Sequence, residues 1–380
     1  MKQRIKYISL YSRNIKGRPR ASNIAAMNKI DYVIKSINRA GYEVDLISPS
    51  WIIDDEEVLG WEGSKAEKLF GDNKIIYAPS FVSKIKIFKV IKYLLSVLWL
   101  MNFLIFKTSK KEVIFVYHTP YLALPIRIAK RIKQFKLVLE IEEIYSEVWE
   151  ISRFLKKEEY KIINAADKYI LVSDLLKKRF EGKDSIVLYG AYNVIDTKSK
   201  NLNKSTVDVV YAGSIDNVKK AAINAVETSR YLNNNYVVHI CGYGELKSIE
   251  ELKKTINNIN DQKGRTVCHF HGAKSGTDFT NFLLSCDIAI NPQGVGDYMN
   301  SAFPSKVLTY LSHDLVVVST KIDSIINSEV SDLVFFSESD KPQQIAETIK
   351  SINLNTKESN VNKIAKLDEI FVASLKEILK

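Results

Sequence analysis

The sequence predicts an α/β protein made of two doubly wound domains facing an interdomain cleft. Three observations carry that prediction. The chain has 380 residues, more than one hydrophobic core usually organises. Short apolar runs of strand length alternate with amphipathic runs of helical period, the pattern of parallel sheets covered on both faces. The alternation runs through each half, and no low-complexity linker or internal repeat interrupts it. The predicted boundaries are an N-terminal domain over 1–192, a C-terminal domain over 193–360, and a helix over 361–380 that returns to the N-terminal domain. Ligands of such sheets bind beyond the carboxyl ends of the strands, and a second domain adds a cleft.

In the first half, residues 4–12 (RIKYISLYS) alternate as a strand. A polar loop with Gly17, Arg18 and Arg20 follows. Ser22 is a plausible N-cap for a helix to Ala40, with Met27, Ile30, Val33, Ile34 and Ile37 on one face. Residues 42–48 read as a second strand, and 51–73 as an acidic, irregular stretch. EVIFVYH (112–118) is a strand that ends in a histidine. Further strands are expected at 136–141, 168–173 and 185–188, with Glu140, Glu142 and Glu143 closing the first of these.

The second half is more regular. Strands are expected at 207–212, 236–241, 267–271, 287–291 and 315–319, with helices at 221–232, 249–259, 279–285 and from Pro304 onward. Pro304 suits the first helical position, because its missing N–H would have no partner there. That leaves the N–H groups of Ser305 and Lys306 to meet an anion. Thr309 lies one turn further on the same face.

Charge is unevenly placed. Lys and Arg exceed Asp and Glu by 34 to 22 over residues 1–190, and fall short by 21 to 22 afterwards. Between Asn73 and Lys111 there is no acid but there are eight lysines, among them Lys84, Lys89, Lys92 and Lys107. They flank YLLSVLWLMNFLIF (93–106), which is shorter than the roughly 20 residues that span a bilayer. The pattern fits a helix near 81–106 lying on an anionic membrane surface, with Leu98, Trp99 and Phe103 in the acyl boundary. A buried core helix is the plainer alternative. Nucleic acid is disfavoured as a partner, since the basic run adjoins an apolar helix rather than interleaved aromatics. Cys241, Cys268 and Cys286 are odd in number and without metal spacing, as in a reduced cytosol. No secretory apolar segment opens the sequence.

Several short segments carry candidate chemistry. GYGE (242–245) lacks the third glycine of the dinucleotide fingerprint, where Lys247 stands. Gly242 and Gly244 either let backbone approach a ligand near Tyr243 or form a plain turn. YAGSIDNVKK (211–220) places Gly213 at a strand end and Lys219 and Lys220 near a helix start. These lysines are either part of an anion site or simply solvated. His269 and His271 share a strand face but have no third ligand nearby in sequence, which argues against metal. His118 is placed to act as a base or to bond a substrate hydroxyl, or is a structural histidine. Glu142 and Glu143 can reach the cleft or pair with basic neighbours.

Together, YAGSIDNVKK, HICGYGE, HFHGAKSGTDFTNFLLSCDIAINPQ and FPSKVLTYLSHDLVVVST resemble, in order and spacing, the GT-B glycosyltransferases of family 4 (glycosyl transferases group 1), over residues 207–350. The resemblance implies a nucleotide-sugar donor held mainly by the C-terminal domain, transfer with retention, and no metal or cofactor. It implies that Lys219 holds the diphosphate and that Gly17 approaches it. It also implies donor contacts at Gly213, Ser214, Lys220, Gly242, Tyr243, Gly244, Ser301, Phe303, Pro304, Ser305, Lys306 and Thr309, and catalytic places for His118, Lys219 and Glu142. Three positions depart from the family pattern: Ser214 replaces an arginine, and Ser301 and Thr309 replace two acids. With the basic first half, the likeness implies a glycan or lipid-linked acceptor, as in bacterial surface-polysaccharide assembly at the inner face of the cell membrane. A non-catalytic relative that binds a nucleotide sugar or a partner, and a sugar epimerase, are the alternatives. The sequence leaves the oligomeric state open.

Overall fold

The computed structural model describes residues 3–13, 20–53, 60–83, 85–195, 204–216, 220–294, 302–356 and 358–380. The chain forms two compact units. The first contains residues 1–172, 176–191 and 369–380, and the second contains 173–175 and 192–368.

The first unit runs β1 (Arg4–Ile8), α1 (Ile24–Arg39), β2 (Glu43–Ser48), β3 (Trp61–Glu62), β4 (Lys65–Lys68), β5 (Lys74–Tyr77), β6 (Ser80–Phe81), α2 (Lys86–Lys107), β7 (Val113–Tyr117), α3 (Pro120–Lys133), β8 (Lys136–Ile141), α4 (Tyr145–Val148), α5 (Arg153–Ala165), β9 (Lys168–Leu171), α6 (Asp174–Arg179) and β10 (Ser185–Val187). Its main sheet has the order β10-β9-β8-β7-β1-β2-β5-β4. All pairs are parallel except β4 with β5, which closes the edge antiparallel. The central strands are buried on both faces, as the continuous run Val113–Val116 shows, because helices cover both sides of a parallel sheet. Strand order reverses between β1 and β7. That is where a doubly wound sheet opens a crevice at its carboxyl edge.

Helix α1 starts one residue later than Ser22 would cap it. The Asn23 side chain accepts from the Ala26 N–H (3.3 Å), while the Ser22 hydroxyl donates to the Arg20 carbonyl (3.2 Å). Arg20 itself is buried. It donates to the carbonyls of Ser50 and Ala78 (2.7 and 2.8 Å), pairs with Glu62 and lies over the Tyr77 ring.

Helix α2 has 22 residues, about 33 Å long. By length and composition it is long and apolar enough to cross a membrane. Its two sides differ. Lys92, Ser96, Leu100 and Leu104 are buried at four-residue spacing, and the helix packs along α3. Ile87, Val90, Ile91, Leu94 and Leu98 form a second apolar stripe that is exposed, with Phe106 exposed beyond it. Lys89 and Lys107 are exposed. Trp99 and Phe103 are half-buried with their rings 5.3 Å apart. Lys92 corrects the sequence reading. It is 1% exposed, donates to the Ile52 carbonyl (3.4 Å) and lies over the Phe81 ring, so it cannot reach a lipid headgroup. Lys84 lies outside the described residues.

The second unit runs β11 (Val207–Ile215), α7 (Ala221–Thr228), β12 (Tyr236–Gly244), α8 (Leu246–Lys263), β13 (Cys268–Phe270), α9 (Gly276–Leu284), β14 (Ile288–Asn291), α10 (Ser305–Ser312), β15 (Val316–Thr320), α11 (Asp323–Ile326), β16 (Val334–Ser337), α12 (Pro342–Ser351) and α13 (Val361–Leu379). Its sheet is wholly parallel with the order β13-β12-β11-β14-β15-β16. This is the dinucleotide-fold order, with its switch point between β11 and β14. From Glu369 onward α13 belongs to the first unit. There Phe371 stacks on Tyr32 (5.8 Å) and Lys168 donates to the Ile378 carbonyl (3.2 Å).

Candidate functional site

Each unit prepares the carboxyl edge of its own sheet. In the second unit, β11 and β12 run three residues beyond the expected ends, through Ile215 and Gly244. The glycines explain how. A Cβ on Gly242 would lie 2.0 Å from the Gly213 carbonyl oxygen, and one on Gly244 would lie 2.2 Å from that of Ile215. Gly242 and Gly244 are therefore strand residues that let two strands approach. They do not form a turn, and Tyr243 between them is exposed.

Above Gly213 lies Lys306. Its ammonium is 4.5 Å from the centre of the Tyr211 ring and 3.2 Å from the Tyr211 hydroxyl, and a Cβ on Gly213 would come within 3.0 Å of it. Lys306 is thus held over the end of the first strand, beside the switch point. The element that holds it there is Tyr310, which sequence reasoning missed. Its buried hydroxyl accepts from the Ala212 N–H (2.8 Å) and donates to the Ala212 carbonyl (3.1 Å). Both backbone groups of one β11 residue are satisfied by one side chain of α10. A tyrosine in the apolar repeat Val307, Leu308, Leu311 was the available signal, since a buried hydroxyl needs a partner.

The helix itself begins one residue later than expected. Pro304 has φ −68° and ψ 94° and is the N-cap, so helical geometry starts at Ser305. Ser305 is exposed and Thr309 half-buried; the Thr309 hydroxyl donates to the Ser305 carbonyl (3.3 Å). Its oxygen can still accept from a ligand. Phe303 is 6% exposed, and its side chain is part of the packing. The Ser214 hydroxyl donates to Asp216 (2.7 Å). Lys220 is exposed and is the N-cap of α7, in the left-handed region at φ 52°. Gly17, Lys219 and Ser301 lie outside the described residues.

Around β12 and β13, His239, His269 and His271 cluster with ring centres 5.2–5.9 Å apart, His239 stacked on His269. His239 joins Asp208 and His271, each at 3.0 Å. Desolvation, then repulsion from its neighbours His239, His269 and Lys274, pushes His271 down to about 4. Among the described residues no group of three His, Cys, Asp or Glu side chains is arranged to hold a metal ion.

In the first unit, His118 follows β7 directly at the switch point and is 2% exposed. Its Nε2 is 2.9 Å from Oε1 of Glu159 on α5, and Tyr145 packs edge-on against its ring. Glu159 also accepts from the N–H groups of Tyr145 (2.7 Å) and Ser146 (2.9 Å) at the start of α4. Burial alone would raise the Glu159 carboxyl. The hydrogen bonds from His118 and Ser146 outweigh it and hold the group below the ordinary range.

Beside it lies a second buried group. Lys29 of α1 bonds Glu142 and donates to the Leu188 carbonyl (2.9 Å), and its ammonium is 3.9 Å from Glu140. The Tyr7 hydroxyl donates to Glu140. Burial drives Glu140 up to about 7, against the pull of Lys29. Burial also raises Glu142, against that same pull. Glu142 is only partly covered, but Lys29 neutralises it, so it is not a free base. Lys29 stands one turn before Val33 on the apolar face of α1, which was its only sequence signal. Nothing local marked Glu159, which is 41 residues from its partner.

Residues 195–367 match the family described as Glycosyl transferases group 1. Solved structures of similar shape cover nearly the whole chain. The sucrose-phosphate synthase of Thermosynechococcus elongatus superposes with a TM-score of 0.70 at 12% identity, covering 99% of this chain and 98% of its own. An Escherichia coli trehalose-6-phosphate protein bound with UDP-2-fluoro glucose gives 0.68 at 10% identity, covering 98% and 99%. A glycosyltransferase from Rickettsia africae gives 0.58 at 14% identity, covering 98% and 93%. No curated protein sequence matches the chain. The protein has the GT-B fold. Of these three neighbours, two are named for sugar phosphates and none for surface polysaccharide.

Proposed function

We propose that the protein is a glycosyltransferase that takes its sugar from a nucleotide-sugar donor. The observation that carries this is the cation over the switch point: Lys306, held on Tyr211 above Gly213 in a dinucleotide-fold sheet, inside the segment that matches glycosyl transferases group 1. A nucleoside diphosphate leaves with negative charge, and fixed donors placed where that charge develops lower the barrier without any metal. Lys306 and the first-turn N–H of Ser305 are such donors, and Lys219 is the further lysine that the family likeness supplies. His118 would meet the sugar or its attacking hydroxyl, and transfer would proceed with retention.

The test is a screen of nucleotide sugars by thermal shift, followed by assay of nucleoside diphosphate release. One donor class should raise the melting temperature, and Lys306→Ala should weaken its binding about tenfold or more, the range for a lost charge-assisted hydrogen bond. Unchanged affinity would remove Lys306 from the site. Donor binding without turnover on any acceptor would support the non-catalytic alternative.

The acceptor we propose is lipid-linked, because α2 keeps an exposed apolar stripe between lysines while its other side is core. Leu94→Glu with Leu98→Glu should release the protein from phosphatidylglycerol vesicles with little loss of stability. Retention on the vesicles would sink this reading. The neighbours named for sugar phosphates favour a soluble sugar phosphate as the second reading. Turnover with such an acceptor in the absence of lipid would establish it.

A further inference from the structure

We propose that Glu159 is a positioning residue that fixes His118 in the tautomer protonated at Nε2 and so presents Nδ1 as the accepting atom of the ring. The inference rests on the reading of His118 as a group that meets substrate.

The two oxygens of Glu159 already take two backbone N–H groups, from Tyr145 and Ser146. A carboxylate in that setting has only lone pairs to offer. The contact with His118 at 2.9 Å must then be made by a proton on Nε2. In a neutral imidazole the other nitrogen is bare. His118 Nδ1 is buried and has no hydrogen-bond partner among the described residues. A buried polar atom without a partner is destabilising, and a hydroxyl from a ligand would remove that cost. A proton on Nδ1 would instead make a buried cation with an unbonded donor. The ring is further restrained by Tyr145, whose backbone and side chain both contact the pair. Histidine side chains that act on a substrate are commonly oriented this way, with an outer carboxylate deciding which nitrogen is bare.

Glutamine at this position cannot reproduce the arrangement. Its single oxygen can face either His118 and Tyr145 or Ser146, and its NH₂ arm then opposes the remaining donor. Glu159→Asp keeps the charge but draws the carboxylate back by one methylene.

The experiment uses the full chain labelled with ¹⁵N-histidine, with His118→Gln to assign the signal. Long-range ¹H–¹⁵N spectra at pH 8 should show His118 protonated at Nε2 and bare at Nδ1. A proton on Nδ1 at that pH overturns the proposal, whether or not the protein transfers sugar. In Glu159→Gln, or in Glu159→Asp if the first does not fold, kcat should fall about 10- to 100-fold, the usual effect of losing such a partner. KM for the nucleotide sugar should stay within about twofold. Unchanged kcat in a folded variant overturns the positioning role. A wild-type protein with bare Nδ1 and no turnover with any donor supports the tautomer assignment and overturns the transferase reading instead.

Discussion

At the carboxyl edge of its sheet the first unit buries ionisable side chains, whereas the second brings backbone close. Every buried lysine, arginine and glutamate among the described residues belongs to the first unit: Arg20, Lys29, Lys92, Glu140, Glu158 and Glu159. The second unit has Gly213, Gly242 and Gly244 there, with Lys306 resting on an aromatic ring. The two solutions suit different tasks. Close backbone beside a held lysine would suit an extended anion, which tolerates variation in what is attached. Buried, paired charges fix side-chain direction and protonation state, which chemistry at a particular hydroxyl needs. Fixing charges has a risk, since a buried ion that loses its partner is costly.

Lys29→Met leaves Glu140 and Glu142 without their cation and should destabilise the protein by about 3–5 kcal/mol in urea unfolding. A loss below about 1 kcal/mol would mean that the first unit does not depend on its buried pairs. Gly242→Ala sets a Cβ 2.0 Å from a backbone oxygen and should cost about 3 kcal/mol, as overpacking does. Gly213→Ala meets only the movable end of Lys306 and the Tyr211 hydroxyl at 3.0 Å. It should change stability far less and lower donor affinity instead. Equal melting temperatures for the two alanine variants would contradict the close-strand account.

A further effect is a slope. Glu140 is raised from 4.5 to about 7 in the folded protein. The folded state then binds the proton more tightly than the unfolded state, so this group's contribution is fully present below about 4.5 and is lost as pH rises through about 7. Glu140→Gln should flatten the fall in urea midpoint over that interval. An unchanged slope would place the titration elsewhere.

Most of the fold was legible because parallel strands and their covering helices leave simple periods in sequence. The limits fell where a residue's role depends on something far along the chain. Residues 242–244 could be read as a turn because glycine is permissive, and only the register against Gly213 and Ile215 shows them to be strand. Lys92 looked like one more basic residue flanking an apolar run, because period alone does not say which stripe of α2 is buried. Pro304 was placed one residue too far into its helix, since proline tolerates both positions. The strand-end histidine was visible, but its partner on α5 was not, because no local pattern couples two residues joined only by tertiary packing.

The two-sided character of α2 also bears on how the protein behaves in a tube. A folded chain that shows Ile87, Val90, Ile91, Leu94 and Leu98 to water presents a continuous adhesive strip, and such strips drive proteins to self-associate when no apolar surface is supplied. Light scattering should therefore report growing particles as purified protein is concentrated, and a mild detergent or short-chain phospholipid should reverse the growth. The Leu94→Glu and Leu98→Glu protein should stay dispersed without either.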